Sequence, residues 1–175
     1  DGAGTPPFGI VDLVAIDITG TSDPDILVDD VLVTVTLYNG SKFIRTGAGG
    51  GTNFVFNGTD VLVGDISGTG LTVVSGPPAI HADGTGYWNF GVYFTGQGNG
   101  GSNAIAGPIT FTVANAKIVD LTVGNGSYTF AADIISGQTG NTGMVDATVP
   151  KVPEPTTLLL LGLGLVGLAG LRRKF

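Results

Sequence analysis

Apolar and polar residues alternate with period two through most of residues 8–149, and Gly, Asn, Asp and Pro interrupt the alternation at short intervals. From Val31 to Leu37, the set Val31, Val33, Val35 and Leu37 alternates with Leu32, Thr34 and Thr36. This pattern predicts a strand with the first set facing a core and the threonines facing water. Asn39-Gly40 predicts a tight hairpin turn leading into Lys42–Thr46. The pairs Phe54/Phe56, Val61/Val63 and Leu71/Val73 repeat the strand pattern, as do Ile109, Phe111 and Val113. Tyr128, Phe130, Ala132 and Ile134 are expected inside, opposite Thr129, Ala131 and Asp133. About ten or eleven short strands joined by Gly-rich turns predict an all-β fold, an antiparallel β-sandwich that is jelly-roll-like, with a short helical turn near Ala114–Asp120.

The last 25 residues have a different chemistry. Residues 1–149 form the β-domain, residues 150–155 a Pro-rich linker, and residues 156–175 a hydrophobic segment with a basic end. Thr156 to Leu171 contains no charge. As a helix these residues would extend about 24 Å, against a hydrocarbon core about 30 Å thick. The segment is expected to be a short membrane helix, within reach of a span if Arg172, Arg173 and Lys174 snorkel to the headgroups, rather than a buried helix of the domain. Leu158, Leu161 and Leu171 supply apolar surface, and Gly164, Gly167 and Gly170 recur every third residue as a stripe for close helix contact. The basic end predicts a cytoplasmic C-terminus with residues 1–150 outside.

Val152-Pro153-Glu154-Pro155, the short apolar helix and the Arg172-Arg173-Lys174 cluster resemble, in that order, the PEP-CTERM sorting signal of exported proteins of Gram-negative bacteria. The resemblance implies that a membrane protease-transpeptidase, exosortase, recognises Pro-Glu-Pro and processes the tail. It also implies delivery to the cell surface or extracellular matrix. The stretch from Gly91 to Val145 is similar to exosortase-dependent surface proteins. The chain opens on Asp1 without a basic or apolar leader, so an export signal is expected to have been removed ahead of it.

Composition narrows the chemistry. Charged residues are 12% of the chain, about half the usual share. Residues 1–150 hold 13 Asp and no Glu, against Lys42, Arg45 and Lys117. This balance excludes nucleic acid as a partner, because phosphate binding needs a basic footprint. With no Cys there is no thiol chemistry, and with one His no site that needs two. Gly96, Gly98 and Gly101 match G-x-G-x-x-G, but Gly107-Pro108 follows where a helix would have to begin, so the dinucleotide reading fails. His81 and Asp83 share a loop, yet no G-x-S-x-G elbow is present and the body has no Glu to act as a glycosidase acid. The protein is expected not to be an enzyme.

Two constellations are candidate binding sites. In Gly86–Thr95, alternation groups Trp88, Phe90, Val92 and Phe94 as core, leaving Tyr87, Asn89, Gly91 and Tyr93 on the other face. Two tyrosines flanking a glycine floor beside Asn89 suit carbohydrate, although the same residues also fit an ordinary surface pair. Asp23, Asp25, Asp29 and Asp30 could supply oxygen ligands to calcium, and equally fit solvated turns. Three functional expectations follow: a non-catalytic structural or adhesive surface protein, a self-assembling filament subunit with the tail helix at its centre, and a module binding extracellular polysaccharide. Poorly guarded strand edges, with threonine where lysine is usual, motivate the homo-oligomer.

Overall fold

The computed structural model describes residues 4–17 and 30–148. These residues form ten strands: β1 (Gly9–Ile16), β2 (Asp30–Leu37), β3 (Lys42–Phe43), β4 (Phe54–Phe56), β5 (Ile66–Ser67), β6 (Leu71–Ala82), β7 (Gly86–Phe94), β8 (Ile109–Val113), β9 (Phe130–Ile135) and β10 (Thr142–Ala147). One short helix, α1 (Ile118–Leu121), falls where a helical turn is expected. The first sheet has the order β1-β2-β8-β5, and the second β10-β9-β4-β7-β6, with β3 also paired to β9. Every pairing is antiparallel. The C-terminal hydrophobic helix lies outside the described residues.

The two sheets share one core. Val31, Val33, Val35, Ile109, Phe111 and Val113 from the first sheet meet Phe54, Phe56, Phe90, Val92, Phe130 and Ile134 from the second. The Phe111 ring bridges the layers, 6.2 Å from the Phe54 ring and 5.4 Å from the Phe56 ring. In β2 and β8 the period-two pattern holds, because one face of that sheet packs and the other meets solvent.

The Asn39-Gly40 turn forms as expected, with φ of 54° and 74° and the Ser41 N–H donating to the Tyr38 carbonyl at 2.9 Å. It does not, however, return the chain alongside β2. Lys42 and Phe43 pair with Ile135 and Ile134 of β9, so the turn carries the chain from one sheet to the other. Phe43 is thereby buried in the shared core. Val61 and Val63 are not a strand either. Val61 is buried, whereas Val63 opens a 3₁₀ turn over Val63–Asp65 and is exposed.

The second sheet is covered on its outer face as well. Val55 and Ala131 alternate with core residues in β4 and β9 and so point away from the core, yet both are buried, in a cluster with Ala82 and Trp88. Trp88 therefore does not share the environment of Phe90 and Val92. A register shift in β6 between Ser75 and Ile80, opposite Phe90 and Trp88, breaks the regular alternation there. Asp133 is likewise fully buried where water was expected.

Ile80, Tyr128 and Met144 pack on that cluster, and the segment between β3 and β4 covers the neighbouring part of the face, against Asp133, Ile80 and Gly91. Its run Gly47-Ala48-Gly49-Gly50-Gly51 folds into successive turns, with N–H groups of Gly50, Gly51 and Thr52 donating to the carbonyls of Gly47, Thr46 and Gly49. Gly91 in β7 accommodates it: an added Cβ there would lie 2.6 Å from Thr52 Cγ2 and 3.0 Å from Ile80 Cδ1. Gly91→Ala is expected to cost about 1–3 kcal/mol by overpacking. Gly143→Ala, which meets open space, is expected to be neutral or to stabilise by up to about 1 kcal/mol. Chemical unfolding of the two variants checks this; equal effects would mean that the covering segment is not closely packed.

Candidate functional site

The polar chemistry of the body converges beneath and beside this covering segment. Asp133 lies in β9, flanked in sequence by Ala132 and Ile134, which face the core. Its side chain points the other way. Oδ2 accepts from the Thr46 N–H at 2.8 Å and from the Thr46 hydroxyl at 2.6 Å. Oδ1 has no hydrogen-bond partner among the described residues. Burial pushes the Asp133 carboxyl above its ordinary value, and the nearby Asp83 charge adds to this; the bonds from Thr46 and Gly49 oppose it without cancelling it.

Arg45 fastens the other side of the segment. Its guanidinium carbon sits 3.7 Å from the centre of the Tyr93 ring. Nε donates to the Gly51 carbonyl and Nη1 to the Gln97 carbonyl, both at 2.8 Å. A guanidinium can stack on a ring and donate in its own plane at once, so Arg45 ties three segments together. Buried Asn53 works similarly: Nδ2 donates to the Ile44 carbonyl at 2.6 Å, and Oδ1 accepts from the Phe94 N–H at 3.0 Å.

The proposed carbohydrate platform is therefore not one open surface. Tyr93 carries Arg45 on its ring, and Thr52 and Ile80 pack over Gly91. Tyr87 is exposed and pairs with His81 at 4.9 Å between ring centres. The exposed Asn89 receives no help from either tyrosine; its backbone N–H donates to Asn57 Oδ1. His81 Nδ1 lies 3.3 Å from Asp83 Oδ1 at a solvent-exposed edge.

Of the candidate calcium ligands, Asp23, Asp25 and Asp29 lie outside the described residues. Asp30 begins β2, is buried, and accepts from the Asn115 N–H at 3.1 Å. Among the described residues no group of three or more His, Asp or Glu is placed to hold a metal ion. No helix among them is long and apolar enough to cross a membrane.

The body is thus an antiparallel two-sheet protein whose polar groups brace its own loops, and its destination is written in the sequence that follows Thr148. Residues 151–174 match the family model of the PEP-CTERM protein-sorting motif. The match takes in Val152, Pro153, Glu154 and Pro155 as well as Arg172, Arg173 and Lys174. The chain carries a PEP-CTERM sorting signal, which marks it for sorting by exosortase and for export to the cell surface through a membrane-anchored precursor. No curated protein and no solved structure matches it.

Asp133 gives the site a pH dependence of definite sign. Because its folded-state value is raised, the folded chain holds this proton to higher pH than the unfolded chain. Stability then falls as pH climbs from about 4 through the raised value. Asp133→Asn cannot ionise and keeps an oxygen for the Thr46 donors. The Tm difference between variant and parent is expected to shift in favour of the variant across that window and then level off. A difference that stays flat with pH would mean that the carboxyl titrates normally.

Proposed function

We propose that the chain is a non-catalytic structural or adhesive protein of the cell surface or extracellular (biofilm) matrix. The observation that supports this is where the polar side chains are engaged. Arg45, Asn53 and Asp133 bind the backbone of the protein's own loops, which stiffens the outer face of the second sheet. In this reading the body is a jelly-roll-like sandwich, and Pro153, Glu154 and Pro155 are what exosortase recognises. Thr156–Leu171 holds the precursor in the membrane as a helix, and Arg172–Lys174 set its orientation.

The test is made in the native host. Combined Pro153→Ala, Glu154→Ala and Pro155→Ala substitutions are expected to leave the full-length protein in the membrane fraction, whereas the parent reaches the surface. Loss of the gene is expected to reduce cell adhesion, and only the parent restores it. Normal adhesion without the gene would sink the adhesive role, and surface delivery of the triple variant would sink the sorting role of the motif.

A second reading, a self-assembling filament subunit, is favoured by the sheet edges. Among the described residues β1 and β10 each pair on one side only, and β1 exposes Ile10 (44%) and Val14 (51%) with Asp12 between them. Unguarded edges of this kind template pairing between copies. Light scattering and negative-stain microscopy of the full chain in detergent are expected to reveal ordered strings that Val14→Lys disperses. A monodisperse monomer in the parent rules this reading out.

A further inference from the structure

The two sheets are joined along one flank and parted along the other. At the closed flank, β5 runs through a short turn into β6, linking the sheets directly. At the opposite flank the edge strands β1 and β10 do not pair among the described residues. Between them lies a cleft of about 560 Å³ whose walls include Phe8, Val11, Leu37, Phe54, Phe130 and Val145. One end is stopped by the N-terminal segment: the Thr5 N–H donates to Gln138 Oε1 at 3.1 Å, and Gln138 Nε2 donates back to the Thr5 carbonyl at 3.0 Å. Pro6 and Pro7 line that end and carry no N–H to offer a ligand.

The size is that of a small-molecule site. The described lining selects for apolar matter, since Asp146 is the one charged residue in it and is exposed. A slot between two strands, stopped at one end, suits a long, thin and uncharged occupant. Position supplies such an occupant. Thr148 lines the cleft, and the apolar segment begins eight residues later at Thr156. Eight residues span at most about 28 Å. In the anchored precursor the cleft is therefore held within about one bilayer thickness of the lipid surface. We propose that this cleft takes up the acyl chain of a membrane lipid while the precursor is anchored. Asp146 at the cleft and the 13 Asp of the body disfavour an anionic headgroup, so the lipid is a zwitterionic or neutral one.

This inference rests on the membrane-anchored precursor, and its test separates the two. The full chain is reconstituted into phosphatidylcholine vesicles in which some lipids carry a photoactivatable diazirine at the end of one acyl chain. After irradiation, adducts are mapped by peptide mass spectrometry. Adducts are expected on Phe8–Val11 and on Met144–Thr148 as well as on the 156–171 segment. Ala147→Trp, which fills the cleft, is expected to lower the cleft adducts at least fivefold and leave those on the 156–171 segment unchanged. Should Ala147→Trp fail to fold, the parent's adduct map decides alone. Adducts confined to 156–171 overturn the cleft proposal and leave the anchoring intact. No adducts on 156–171 overturn the anchoring and the proposal with it. Equal labelling of the outer position Val14, which does not line the cleft, or protein–protein cross-links joining β1 to β10 of another copy, also overturn lipid uptake.

Discussion

The inner strands β4 and β9 of the second sheet are buried on both faces, and most of what is distinctive in this molecule follows from that constraint. A sheet covered on one side can leave its other side to threonines and water. A sheet covered on both must find something to lay over its outer face. Here the cover is a glycine-rich crossing whose contacts are largely backbone contacts. Its carbonyls and N–H groups need partners, because unpaired backbone groups under cover are costly. Asp133, Asn53 and Arg45 supply them.

This economy also explains the character of the polar side chains. A buried carboxylate, a buried amide and a stacked guanidinium in one neighbourhood would elsewhere suggest a reactive centre. In this protein each is turned towards the chain itself. Among the described residues Asp133 keeps one oxygen without a partner, because both Thr46 donors converge on Oδ2, and its raised proton affinity comes from burial, which those bonds oppose without cancelling.

Legibility of the sequence follows the same division. In the first sheet, Val31, Val33 and Val35 and the facing Ile109, Phe111 and Val113 are read correctly from alternation, because one side packs and one side does not. Ala131 and Asp133 are misread because their cover carries no hydrophobic pattern of its own, whereas Trp88 is buried as expected but in the second cluster, with Val55, Ala82 and Ala131. One signal was present: glycine at 91 marks room for something pressing in. The Asn39-Gly40 pair identifies a turn from local backbone preference, but local preference cannot say which strand the chain joins next. Pairing of β3 with β9 joins residues over 90 positions apart. The sorting tail, by contrast, is legible outright, because its parts lie in one continuous stretch and need no long-range contact to be recognised.

The covalent exit of the chain has a mechanical consequence. The body continues into its sorting tail directly from β10, an edge strand of 6 residues held on one side by β9. Tension drawn through the membrane end enters the domain at Ala147, opposite Phe130, and is met first by that short ladder and the side chains of Val145 and Ala147. In the anchored precursor a pull through the tail is thus met at the margin of the domain, by one hairpin whose Val145 and Ala147 side chains pack against the aromatic interior.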